Sequence, residues 1–198
     1  MTVASQRAHE ALDRLLLAHE GYFDVERDHA FAGRTFDGYA EFHSSTSQYV
    51  LVKRAKLWEA HSHEYLFFTL ADHLDEAAYD DLVAFMKDEA LAKVMLEPDH
   101  MSSFLSLVII ADSADGHIAR RVRKTRFRKN FCLGLRGWAD LRICVACLDE
   151  GAVYANAMGA DLASTVEANA LRAGETPGFS VLIRTEYGAL RSTRPQKY

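Results

Sequence analysis

Seven of the ten residues in RRVRKTRFRK are arginine or lysine and none is acidic: Arg120, Arg121, Arg123, Lys124, Arg126, Arg128 and Lys129. The chain that carries them has a formal net charge of −5, and outside this run 16 basic residues face 28 acidic ones. Like charges packed this closely repel, so their grouping needs a reason. Arginine prevails over lysine here, and its planar fork matches phosphate oxygens two at a time. The chemistry that suits the run is therefore capture of an anion: nucleic acid, a nucleotide or an acidic protein. A structural role competes with it. Arg120, Arg121, Arg123 and Lys124 would complement the dipole in the last turn of a helix, and charges on a strand discourage edge-to-edge pairing. Phe127, Phe131 and Trp138 lie close enough in sequence to stack on bases, although strand alternation would turn both phenylalanines inward.

Other residue types could do other chemistry. GWADLR, with Arg136 just before it, sets Arg136, Trp138, Asp140 and Arg142 in a tight connection that could form a small polar site. Local pairing of Asp140 with Arg142 is the plainer expectation. His61 and His63 in HSHE share one face of a strand or turn, a spacing that could ligate a metal with His43, Asp99 or His100 completing the set. Asp112 and Asp115 follow an apolar run, where α/β enzymes hold a metal or a reacting water; the same residues are good turn formers and helix caps. Cys144 and Cys147 form a C-x-x-C within a strand-like segment, which places the thiols on opposite faces. Three cysteines without a framework spacing point to reduced thiols in the cytoplasm. The sequence contains no G-x-S-x-G, no glycine-rich phosphate loop, no H-E-x-x-H and no dinucleotide fingerprint, so no cofactor is implied.

The elements that must position these groups follow from periodicity. Residues 3–19 repeat apolar side chains at helical spacing, and Gly21 stops them. From Tyr22 to Leu70 the period falls to two, in four runs that suggest an antiparallel meander, with HSHE as a polar connection. Asp75 is a helix cap with Leu74 and Tyr79 placed as a hydrophobic staple. SFLSLVIIAD reads as a central strand, SADGHIARRVRK as a short helix, and RFRKNFCLGLR, DLRICVACL and AVYANA as strands, the last two joined at Asp149–Gly151. Asp161 would cap a further helix and FSVLIRT would supply a last strand. The expected fold is α+β, a mixed, mostly antiparallel sheet with helices packed against it. One domain over residues 1–198 is the simplest organisation, with a tail that frays from about residue 191.

The element order resembles the core of restriction-endonuclease-like nucleases, which need an acid-x-Lys pair. Leu51 and Arg54 stand two residues before Lys53 and Lys56, so the second acid is missing. The segments HMSS, GWADLR and VYAN together resemble a family of small bacterial proteins of unknown function over about residues 5–165; that resemblance implies no activity. The leading expectation is a non-enzymatic, cytoplasmic binding or interaction module meeting an anionic partner through the basic run. Its rivals are a metal-dependent hydrolase using Asp112 or Asp115 with His61 or His63, and a structural homodimer. No segment approaches the length needed to span a bilayer, and no membrane partner is expected.

Overall fold

A computed structural model describes residues 4–49, 56–96 and 100–171. The expected strand FSVLIRT, the tail, Lys53, Arg54 and Asp99 lie outside them, and the side chain of His61 is likewise undescribed.

Helix α1 (Gln6–His19) begins where Ser5 Oγ accepts the Ala8 N–H at 3.2 Å. Its Ala8, Ala11, Leu12, Leu15 and Leu16 face the sheet. Gly38 lets the helix close, because a Cβ there would come within 2.9 Å of the Leu16 side chain. Strands β1 (Asp24–Phe31), β2 (Arg34–Tyr49) and β3 (Lys56–Leu74) form the antiparallel meander. Among the described residues it has three strands rather than four runs. HSHE is no connection but part of the 19-residue β3, whose backbone is paired to β2 on one side and β4 on the other. A polar stretch so paired has no reason to leave the sheet.

Helix α2 (Glu76–Asp88) starts at Asp75, whose carboxylate accepts the Ala78 N–H at 2.7 Å; Leu74 and Tyr79 are both buried in one cluster. It is the crossover to β4 (His100–Ala114), which runs parallel to β3. Helix α3 (Ile118–Lys124) and the short β5 (Arg128–Asn130) lead to β6 (Trp138–Cys147), parallel to β4 on its other side. Strand β7 (Ala152–Ala155) pairs antiparallel with β6 after the turn at Gly151. Helix α4 (Ala160–Val166) continues as a wider turn through Leu171. Asn156, not Asp161, caps the turn that precedes α4, by accepting the Gly159 N–H at 2.8 Å.

The sheet order is β1-β2-β3-β4-β6-β5, with β7 also on β6. Four pairings are antiparallel and two parallel, so the fold is α+β with a mixed, mostly antiparallel sheet. Helices cover both faces. Leu105, Leu107 and Ile109 of β4 meet the cluster of α2 and α3, while Val108 and Ile110 meet that of α1 and α4. This two-sided burial explains the continuous apolar run of the central strand.

Candidate functional site

Helix α3 lays the basic run beside α2. Thr125 ends the helix: its N–H donates to the Arg121 carbonyl at 3.1 Å, and its hydroxyl lies 2.8 Å from the buried Tyr79 hydroxyl. Burial raises the Tyr79 pKa, which keeps the phenol neutral at this joint. Between the helices lies an open groove of about 820 Å³, lined by Lys87, Arg120, Lys124, Thr125 and Arg126 together with the acids Glu76 and Asp80.

The seven cations separate into distinct roles. Arg121 is a clamp, donating from Nε to Asp80 at 2.9 Å and pairing with Glu76 at 2.6 Å. Glu76 also takes His117 at 2.9 Å. Arg123 lies over the Tyr154 ring, 5.7 Å from its centroid. Arg128 forks onto Asp140 at 2.7 and 2.6 Å; the carboxylate is only 2% exposed while the arginine side chain is 52% exposed. Lys129 stands exposed on β5. Arg120, Lys124 and Arg126 have no carboxylate within 4.0 Å among the described residues, and all three line the groove. The run is therefore part fastening and part open charge. Nothing in the run itself distinguishes these roles, because Glu76, Asp80 and Asp140 arrive from α2 and β6.

The expected strand RFRKNFCLGLR is cut short. Only Arg128–Asn130 pairs with β6, after which Cys132, Leu133 and Gly134 take φ of 48°, 56° and 90° to turn the chain back. That register sets Arg128 directly opposite Asp140. Asp140 therefore pairs with Arg128 and not with Arg142. Arg142 instead reaches Glu64 on β3 at 2.9 Å, stacked 3.5 Å from the Phe104 ring centroid. Burial raises the Glu64 pKa, with the Arg142 charge opposing it. Arg136 holds the Leu96 carbonyl at 3.3 Å, and Trp138 lies 5.5 Å under the Arg128 guanidinium. The four residues of the expected polar site are thus divided among separate contacts.

The hydrolase set is not assembled either. Ser103 is the register partner of His63, and Asp112 lies nine residues further along β4. At about 3.3 Å per residue that is roughly 30 Å, far beyond a shared metal whose ligands sit near 2 Å. Asp112 is a fastening instead, accepting the Ser5 N–H at 3.0 Å, and Asp115 lies 3.2 Å from His73 Nε2. His43, His63 and His100 do come together, because an extra residue in β4 pairs His61 with His100 and Ser62 with Ser102. Both ring nitrogens of His100, and the Nδ1 atoms of His43 and His63, are engaged in hydrogen bonds. The Nδ1 atoms of His43 and His63 lie 2.7 Å apart, within hydrogen-bond distance. His100 Nδ1 donates to the Arg136 carbonyl at 2.8 Å, leaving Nε2 to accept from Ser103 Oγ at 2.9 Å. Among the described residues no group of three His, Cys, Asp or Glu is arranged to hold a metal ion.

The C-x-x-C behaves as a strand pair should. The Cys144 thiol faces the Gly159 carbonyl at 3.4 Å and Cys147 the Asp112 carbonyl at 3.9 Å. Burial pushes the Cys144 thiol up to about 12, and also raises Cys147.

The fold defines a mixed-sheet α+β protein with a cleft between two helices that is lined by basic and acidic side chains. The chain belongs to the family described as a domain of unknown function, DUF8052, which matches residues 7–168. Neither the curated proteins nor the solved structures contain a significant match.

Proposed function

We propose that this protein is a non-enzymatic binding module that takes a phosphate-bearing ligand, a nucleotide or a single-stranded nucleic acid, in the groove between α2 and α3. The observation that carries the reading is the gathering of Arg120, Lys124 and Arg126 in one cleft without a protein counter-ion among the described residues. Neighbouring Arg121 and Arg128 each have a carboxylate, so within the run these three are the cations that line the cleft without an ion partner among the described residues. A phosphate supplies the missing counter-ion, and two arginine forks can grip it bidentately. The concave shape favours a ligand or a strand of nucleic acid over a flat protein surface, and a volume of about 820 Å³ is in the range of small-molecule sites. Free thiols at Cys132, Cys144 and Cys147 suit a reducing, cytoplasmic setting.

Anisotropy titration of a labelled single-stranded oligonucleotide tests this, comparing the wild-type chain with Arg120→Glu, Arg126→Glu. Both residues are exposed, so the variant should unfold at the wild-type temperature and lose binding. Equal affinity in the two proteins refutes the reading. Arg128→Glu is unsuitable for the purpose, since it would strand the buried Asp140 carboxylate.

A further inference from the structure

The loop from β5 to β6 reads FCLGLRG, Phe131 to Gly137. Its Leu133 is completely exposed and its Leu135 is 87% exposed, more than any other large apolar side chain described. A single exposed leucine needs no explanation. Here two flank a glycine on a projecting tip that is firmly built. Gly134 N–H donates to the Phe131 carbonyl at 2.9 Å, Leu135 N–H to Cys132 at 3.0 Å and Arg136 N–H to Phe131 at 3.2 Å. At the base His100 holds the Arg136 carbonyl, and Gly137 packs so tightly on Met101 that a Cβ would meet its carbonyl oxygen at 2.1 Å. Cys132 and Leu133 both accept left-handed backbone, a conformation that side chains resist. The loop therefore presents its leucines outward by construction.

The open charge beside the tip is cationic. Lys129 and Arg136 have no ion partner among the described residues, whereas Arg128 is closed by Asp140 and Arg126 lines the groove, in a chain of net charge −5. Partly exposed Leu96 and Met101 adjoin its base, through the contacts of Arg136 and Gly137.

We infer that this tip docks the protein on an anionic lipid surface, Leu133 and Leu135 entering the boundary between headgroups and acyl chains while Lys129 and Arg136 meet lipid phosphates. Charge complementarity selects an anionic surface over a neutral one. A convex tip with two leucines enters a deformable medium without a preformed pocket, which a folded protein partner would have to supply. Peripheral docking of this kind needs no spanning segment, and no described helix is long and apolar enough to cross a membrane. The expectation of no membrane partner rested on spanning segments alone. The tip is distinct from the groove proposed above and does not depend on it.

Vesicle sedimentation of the full chain tests the inference, with phosphatidylcholine vesicles containing about 30% phosphatidylserine against pure phosphatidylcholine. Binding should require phosphatidylserine, and Leu133→Ser, Leu135→Ser should lower it by about ten-fold or more without moving the unfolding temperature, both side chains being free of packing. Leu133→Trp should show blue-shifted emission on adding the anionic vesicles. The groove variant Arg120→Glu, Lys124→Glu should sediment like the wild type, which separates this test from that of the groove. Absence of binding to either vesicle, or an unaffected serine variant, overturns the inference. Leucine-dependent self-association without vesicle binding does so as well, and would assign the tip to a second copy of the chain.

Discussion

Replacing Arg128 with alanine should destabilise the protein, whereas the same change at Arg126, two residues earlier, should not. Arg128 gives two short hydrogen bonds, 2.7 and 2.6 Å, to an Asp140 carboxylate that is almost completely buried. Removing one partner of a fully buried ion pair typically costs about 3–5 kcal/mol, most of it the stranded charge. Half of the Arg128 side chain is exposed, so water can follow into the vacated space and screen the carboxylate. The expected loss is accordingly about 2 kcal/mol. In a chain of 198 residues each kcal/mol moves Tm by roughly 2–4 °C, giving a fall of about 4–8 °C by circular dichroism. Arg126→Ala should stay within about 0.5 kcal/mol of wild type, as an exposed side chain with no ion partner among the described residues. Adding Asp140→Asn to Arg128→Ala should restore part of the loss, because the stranded charge is gone. Equal, small effects at positions 126 and 128 would refute the division of the basic run into fastened and open cations.

Other parts of the structure give equally concrete outcomes. Gly137→Ala should cost on the order of 3 kcal/mol, from a φ of 72° and a Cβ 2.1 Å from the Met101 oxygen, seen as a lower urea midpoint. Gly151→Ala, with φ of 59° and open space around it, should cost only about 1 kcal/mol. Burial raises the Glu64 pKa above 4.5, so that site's contribution is fully present below the unfolded value and is lost as pH rises through the folded one. The Tm of wild type relative to Glu64→Gln should therefore fall as pH rises from about 4 through the raised folded value, and a rise would contradict the burial of that carboxyl. In thiol labelling of the native protein, Cys132 should react at once, while Cys144 and Cys147 should wait for unfolding. Fast modification of all three would contradict the described core.

Helices α1 and α2 were legible because their apolar spacing, the Asp75 cap and the Leu74–Tyr79 pair are local signals. The β4 run LSLVII announced a strand buried on both sides for the same reason. Strand partners were not legible. Nothing in HSHE shows that β2 and β4 will satisfy its backbone on both sides, and nothing in RFRKNF shows where pairing with β6 ends. The candidate site was legible as a count of cations and illegible as an arrangement. One sign was available: Glu76 and Asp80, one helical turn apart on α2, offer a matched pair of acids to the arginines of α3. The pairing of Asp140 with Arg128 over Arg142 required the β5–β6 register, which no local pattern encodes.

The most direct test of the anion-binding reading is the salt dependence of oligonucleotide affinity. With three phosphates held by Arg120, Lys124 and Arg126, single-stranded affinity should fall by roughly 20-fold between about 50 and about 200 mM salt, on a slope of about −0.7 per phosphate. A slope near that value, abolished in Arg120→Glu, Arg126→Glu, is the result the groove predicts. No binding at the lower salt, or binding that salt does not weaken, would contradict it and leave the open cations as a solvated helix face.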